Sequence, residues 1–322
     1  MRVFLNRPFQ IGSLALPNRL LQGPLAGFSC APFRQLYYKF LPPAYCVSEM
    51  ISAYDVLHKH PITSRYLYRA SEEKKLCYQL AGHDPIIMAQ AAARLEDLGA
   101  DLIDMNCGCP KTKIRKKGAG SALLEVPHHL CEIVRAVRAS IRIPLTVKIR
   151  IQGNENDMVL ARAIEAAGAD ALIVHGRRWT DDYSCPSDFH YIGQIKQAIQ
   201  IPVIANGDIG DDVSLAQAIE QSGCDAYMIA RAGSGKPWLY EQLLSEAPTA
   251  TPSAEIQKEC FIEHLQGLAI LENDHQAVLQ SKSLVRYYFG HVLSTEQLQR
   301  FYTFQRLGEI EQFIDEMPPC IP

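Results

Sequence analysis

Three segments of the chain leave a helix and enter a strand in the same way. They are Leu98-Gly-Ala-Asp-Leu-Ile-Asp-Met, Ala167-Gly-Ala-Asp-Ala-Leu-Ile-Val and Ser222-Gly-Cys-Asp-Ala-Tyr-Met-Ile. In each, the glycine can end a helix in the left-handed region and the Asp leads into an apolar run. A second echo pairs Ile143-Pro-Leu-Thr-Val with Ile201-Pro-Val-Ile-Ala, again a step from helix to strand. Apolar, β-branched runs recur at Leu20–Gly27, Ala44–Met50, Leu76–Gly82, Asp101–Cys107, Pro144–Arg150, Ala171–Arg177, Pro202–Ile209 and Ala226–Ala232. The stretches between them are amphipathic, as at Pro85–Leu98. Strand–helix alternation implies right-handed βαβ units and a parallel sheet. Eight units over about 240 residues predict an α/β fold, a (β/α)8 TIM barrel. A doubly wound sheet is the alternative. It would want an early G-x-G-x-x-G after a strand, and Gly23-Pro-Leu-Ala-Gly27 is not that.

After Leu244 the composition changes. Ser245–Ser253 (SEAPTATPS) reads as a linker, and Ala254–Met317 carries helical periodicity. The expected division is a barrel over 1–244 and a linker with a small bundle of three or four helices over 245–322. No apolar run approaches the roughly 20 residues of a membrane helix. No signal peptide is read at the N-terminus. The ten cysteines, at 30, 46, 77, 107, 109, 131, 185, 224, 260 and 320, contain no C-x-x-C pair. Reduced thiols in a cytoplasm, with no metal site, are therefore expected. A net charge of −3 argues against a generally basic nucleic-acid binder but leaves room for a local patch.

In a barrel of this kind, chemistry sits where strands end. The predicted strand ends carry Gln79, Asn106, Cys107, Lys148, Arg150, His175, Arg177, Asn206, Asp208 and Arg231, with Cys109 just beyond. A lysine inside an apolar strand is costly to bury without a partner. Small residues around Asn206-Gly-Asp208 and Ala230-Arg231 leave backbone N–H groups open to a phosphate. Gly233-Ser-Gly-Lys236 is not a P-loop, which would need Gly at 230 and Ser or Thr at 237. The loop after the fourth strand holds Lys111, Lys113, Arg115, Lys116 and Lys117. Beside a phosphate-binding mouth, that cluster makes a nucleic-acid backbone a candidate partner.

The segment Asp104-Met-Asn-Cys-Gly-Cys-Pro110 resembles the signature of the tRNA-dihydrouridine synthases, nearest to their bacterial branch. The resemblance extends through Gly23–Gly27, Gln79–Gly82, Lys148–Arg150, His175–Arg177, Asn206–Asp208 and Met228–Arg231. It implies an FMN-containing barrel that uses NADPH to reduce a D-loop uridine of tRNA. By position, Pro24, Leu25, Ala26, Gln79 and Lys148 would touch the flavin ring. His175, Asn206, Gly207, Asp208, Ala230 and Arg231 would hold the ribityl chain and phosphate. Asn106, Arg150 and Arg177 would face the uracil, and Cys109 corresponds to the catalytic cysteine. Leu25 stands where the family usually has Met, and Ala230 where it usually has Gly. Ala230 can serve a phosphate through its N–H only at negative φ. The tail would help bind tRNA, and a monomer is expected. A flavin barrel acting on a small molecule, dihydroorotate dehydrogenase-like or ene-reductase-like, is the alternative. A non-catalytic RNA-binding barrel and a sugar-phosphate barrel enzyme compete less well.

Overall fold

The computed structural model describes residues 1–247 and 250–317. Cys320, positions 248–249 of the expected linker and the end of the expected tail lie outside the described residues. A short helix α1 (Arg2–Leu5) and an antiparallel hairpin, β1 (Phe9–Ile11) and β2 (Leu14–Leu16), come first. Eight parallel strands follow: β3 (Leu20–Gln22), β4 (Cys46–Ser52), β5 (Leu76–Ala81), β6 (Leu102–Cys107), β7 (Leu145–Arg150), β8 (Ala171–His175), β9 (Val203–Asn206) and β10 (Ala226–Ile229). They close into a barrel in sequence order, with β10 pairing back to β3. Seven fall within the runs read from the sequence, and β4 runs two residues past its expected end at Met50. The crossovers carry α2 (Ala31–Gln35), α3 (Ala53–His58), α4 (Pro85–Asp97), α5 (Thr112–Arg115), α6 (Pro127–Ser140), α7 (Asn156–Ala166), α8 (Phe189–Ala198) and α9 (Asp212–Ser222). The helix α10 (Leu239–Leu244) closes the barrel layer. Four tail helices follow: α11 (Ala254–Leu271), α12 (Asp274–Phe289), α13 (Thr295–Thr303) and α14 (Leu307–Asp315).

The repeated Gly-x-Asp is a joint. Gly99, Gly168 and Gly223 take φ of 87°, 102° and 57°, the left-handed turn that ends each helix. The following aspartates then reach across to the entry of the preceding strand. Asp101 accepts from Leu76 N–H, Asp170 from Leu145 N–H and Asp225 from Val203 N–H, each at 2.8 Å. Each carboxylate also pairs with a cation, Arg69 at 2.8 Å, Arg138 at 2.6 Å and Lys196 at 2.7 Å respectively. The Ile-Pro echo has its own acceptors. Glu96 takes the N–H groups of Arg142 and Ile143, and Glu165 those of Gln200 and Ile201.

Alternation sorts the strand residues into two layers. Leu21, Val47, Cys77, Leu102, Ile173, Ile204 and Met228 fill the barrel interior. Phe9, Ile11 and Leu16 of the hairpin belong to the same cluster, so the hairpin plugs the lower end. Tyr78, Ile103, Met105, Cys107, Val147 and Val174 face the helices. The tail has its own apolar cluster around Phe261, Phe289, Phe301 and Phe313, and Cys30 and Leu36 beside α2 join it.

Two charged arrangements, one buried and one partly buried, fasten loops. Arg34 of α2 clamps Glu73, donating from Nε and, at 2.9 Å, from Nη2, and also donates to the carbonyls of Ser29 and Tyr68. Arg65 donates to Glu49 of β4 and, at 2.6 Å, to Glu272 after α11, tying barrel to tail. Glu49 in turn accepts from Gly27 N–H at 3.1 Å.

Removing one partner of a buried pair leaves the other charge stranded. Glu73→Ala should therefore cost about 3–5 kcal/mol in urea unfolding, whereas a loss below about 1 kcal/mol, ordinary for a surface pair, would show that the pair is dispensable. His264 of α11 is fully buried against Phe33 and Tyr288. Burial, helped by Arg65, pushes its imidazole down to about 3. The unfolded chain, near the ordinary 6.5, binds the proton first, so stability falls as the pH drops from 6.5 toward about 3. The stability gap between wild type and His264→Gln should narrow over that window. A constant gap would contradict it.

Candidate active site

The C-terminal ends of the strands open into a cavity of about 800 Å³. Of the residues to which the resemblance gives a role, all but one line it: Pro24, Leu25, Ala26, Gln79, Asn106, Cys109, Lys148, Arg150, His175, Asn206, Gly207, Asp208, Ala230 and Arg231. Register explains the convergence. Asn106 pairs with Lys148, and two residues further along Arg150 pairs with His175 and His175 with Asn206, so these side chains form two successive rows at the mouth.

Two amides are oriented by groups whose roles cannot invert. Asn206 donates to the Met228 carbonyl at 2.9 Å, which turns its oxygen toward Lys148. The Lys148 ammonium donates to that oxygen at 2.7 Å. Asn106 accepts from the N–H groups of Gly108 and Cys109 and donates to Gln79. Burial lowers the proton affinity of Lys148, against the pull of Asp104. Burial, followed by Lys148, Arg150, Arg177 and Arg231, pushes His175 down to about 2. His175 is thus a neutral imidazole among cations. Such a cavity favours an anionic or acceptor-rich ligand.

The corner after β9 and β10 is built from backbone. Asp208 takes φ of 44°, the one left-handed non-glycine among the described residues. Gly207 has φ of 126°, and a Cβ there would collide with the Ser187 hydroxyl and lie 3.0 Å from His175 Cδ2. Ala230 has φ of −114°, so alanine meets the condition that its replacement of glycine imposes. Beside it, Arg231 stacks on Tyr183 with its guanidinium carbon 3.8 Å from the ring centroid.

Arg177 is the exception. It is 2% exposed and stands behind the cavity wall. Its Nη2 donates to both Asp208 oxygens at 2.7 and 2.6 Å, and Nε donates to the Cys185 carbonyl. It braces the loop that carries Tyr183 to the mouth. Sequence reading missed Tyr183, Phe28, Met50 and Met228 as lining residues. Strand alternation was a signal for Met50 and Met228. The loops of Phe28 and Tyr183 carry no periodic signal.

The two neighbouring cysteines differ. Cys107 is fully buried on the outer layer, and burial holds its thiol well above the ordinary range. Cys109 lines the cavity and is partly exposed. The basic stretch is a helical turn, α5, rather than an open loop. Lys111, Lys113, Lys116 and Lys117 are exposed. Arg115 is engaged with Ser121 at 3.0 Å, Glu125 at 2.6 Å and the Trp179 ring at 3.6 Å.

The family model for dihydrouridine synthase (Dus) matches residues 21–309. The chain belongs to the dihydrouridine synthase family. It is 38% identical over 311 residues to tRNA-dihydrouridine synthase B of Pseudomonas aeruginosa, covering 94% of this chain and 92% of that one. It is 36% identical over 269 residues to the probable tRNA-dihydrouridine synthase 1 of Synechocystis, covering 81% and 76%. Among solved structures, the old yellow enzyme homologue from Zymomonas mobilis shares the fold with a TM-score of 0.54 at 16% identity, over 79% of this chain and 96% of that one. The 6-hydroxypseudooxynicotine amine oxidase of Pseudomonas geniculata shares it with a TM-score of 0.57 at 15% identity, over 75% of this chain. This chain spans about half, 49%, of that longer protein.

Gly207→Ala should perturb the Asn206–Asp208 corner without unfolding the barrel. The expected cost is about 1–3 kcal/mol for a strained left-handed residue, read in thermal unfolding. A variant as stable as wild type, with unchanged ligand retention, would show that the corner tolerates a side chain.

Proposed function

We propose that this chain reduces the C5=C6 bond of a D-loop uridine in tRNA to 5,6-dihydrouridine, with FMN in the cavity and NADPH as electron donor, in the cytoplasm. The observation that carries the reading is the placing of the Cys109 thiol and the Lys148 ammonium on one cavity. The residues fit a flavin. Lys148 has three donor positions and one hydrogen-bond partner among the described residues, so it can meet an anionic ring. The open backbone at Gly207–Ile209 and Ala230–Ala232, with Arg231, suits a phosphate. Bound FMN would supply the hydride that no side chain can.

The chain's own residues do the rest. Pro24, Leu25, Ala26 and Gln79 would flank the ring. Lys148 would stabilise negative charge on it. His175, Asn206, Asp208, Ala230 and Arg231 would hold the ribityl chain and phosphate. Cys109 would give its thiol proton to the uracil carbon next to the one that takes the hydride. Asn106 and Arg150 would orient the base. Arg150 is held by the Gly108 and Arg178 carbonyls, at 2.9 and 3.0 Å. Arg177 would act from behind, through the loop it braces. The target base must leave the tRNA fold to enter such a cavity. The exposed lysines of the α5 turn and the tail cations Lys282, Arg286, His291, Arg300 and Arg306 would take the phosphates, which makes the barrel plus a tRNA-binding tail the working division of the chain.

The purified protein should be yellow with non-covalent FMN; a colourless protein that cannot be reconstituted refutes the cofactor. Cys109→Ala should abolish dihydrouridine formation in tRNA while retaining FMN and NADPH oxidation. Cys107→Ala should keep most of the activity. The reverse pattern would reassign the proton donor. Replacing Lys113, Lys116 and Lys117 by Ala should weaken tRNA binding and flatten the salt dependence of log K by about 2. An unchanged slope would remove the α5 turn from the tRNA contact.

A further inference from the structure

Asp104 lies on β6 beneath the cavity, fully buried and outside the residues assigned to cofactor or base. It ends a chain of hydrogen bonds that runs up to the cysteine loop. The Thr146 hydroxyl donates to one carboxylate oxygen at 2.7 Å, and Gln79 Nε2 to the other at 2.7 Å. Asn106 Nδ2 donates to Gln79 Oε1 at 2.8 Å. Asn106 Oδ1 then accepts from Cys109 N–H at 3.0 Å and Gly108 N–H at 3.3 Å.

The polarity of this chain is fixed from both ends. At the lower end an ionised carboxylate can only accept, so Gln79 must present nitrogen to it. At the upper end backbone N–H groups can only donate, so Asn106 must present oxygen. The middle bond can then run only from Asn106 to Gln79. If either amide turned over, like would face like at both of its contacts. Each amide nitrogen keeps one N–H and Gln79 Oε1 one lone pair beyond this chain, on side chains that line the cavity.

We infer that Asp104 is a positioning residue that, through Gln79 and Asn106, fixes the backbone of Cys109 and the orientation of both amides in the cavity wall. Its consequence for catalysis rests on the reading of Cys109 as proton donor; its geometric consequence does not. For holding Gln79 and Asn106 a buried acceptor does the work, and the negative charge as such is not required. Asp104→Asn therefore keeps the relay: its carboxamide oxygen accepts from Gln79 and its nitrogen donates to the Thr146 hydroxyl. Asp104→Leu breaks it and leaves the Gln79 nitrogen without an acceptor.

The test is the rate at which iodoacetamide alkylates Cys109 in the purified protein, followed by peptide mass spectrometry, alongside kcat and KM for dihydrouridine formation. Freeing the loop at the cost of one unsatisfied buried group should speed Cys109 alkylation about tenfold in Asp104→Leu and lower kcat with little change in the KM for tRNA. Asp104→Asn should keep wild-type Cys109 alkylation, whatever the loss of its charge beside Lys148 does to kcat. Wild-type alkylation in a folded Asp104→Leu overturns the proposal, and so does an Asp104→Asn variant whose Cys109 is alkylated as fast as in Asp104→Leu. Should Asp104→Leu fail to fold, Gln79→Met cuts the middle link instead, and normal Cys109 reactivity there is equally fatal. If Cys109→Ala still forms dihydrouridine, the reading of the reaction falls, while the alkylation result continues to decide the relay.

Discussion

A side chain two residues from the end of a β-strand points into a barrel or out of it according to register alone. Register in this barrel is pinned by carboxylates at the strand entries. Asp101, Asp170 and Asp225 each take the first N–H of the strand before, and each is held by its own cation. A slip of one residue in β7 would send Lys148 and Arg150 among the helices and bring Val147 and Ile149 to the mouth. The chemistry at the top of the barrel is thus set by polar joints at the other end.

Those joints are also why the fold could be read in advance. An Asp that must reach a fixed backbone N–H recurs at a fixed distance from the glycine that ends the helix, and so leaves a repeat in the sequence. The ring of site residues was legible for a related reason: polar residues at the ends of apolar strands have few other places to go. The hairpin that plugs the barrel was not legible. Its strands are three residues each, too short to show alternation. Arg177 was placed at the mouth by its strand position, but Asp208 and the 178–187 loop draw its guanidinium behind the wall. Arg115 was counted with the lysines around it, although Glu125 and Trp179 engage it. In both cases the partner lies on another loop, and no local pattern announces it.

The cavity combines two kinds of control. Cations surround His175 and burial keeps it neutral, so the floor can donate positive potential without a titrating imidazole. The amides of Asn106, Gln79 and Asn206 are each set by a partner of fixed role, so hydrogen-bond direction is built into the wall before any ligand arrives. Arg65 extends this order outward, joining Glu49, which holds the Gly27 turn beside the cavity, to Glu272 of the tail. Cavity and tail therefore share one ionic joint.

The distribution of thiols has a practical side. Among the described cysteines, Cys109 and Cys185 alone are not buried. They sit on different loops of the mouth, one after β6 and one in the loop that Arg177 braces. With Cys320 replaced, paired spin labels or dyes would settle on these two positions among the described cysteines. The chain thus carries its own ruler across the entrance, able to report how far the two loops part when a large polymer is seated there.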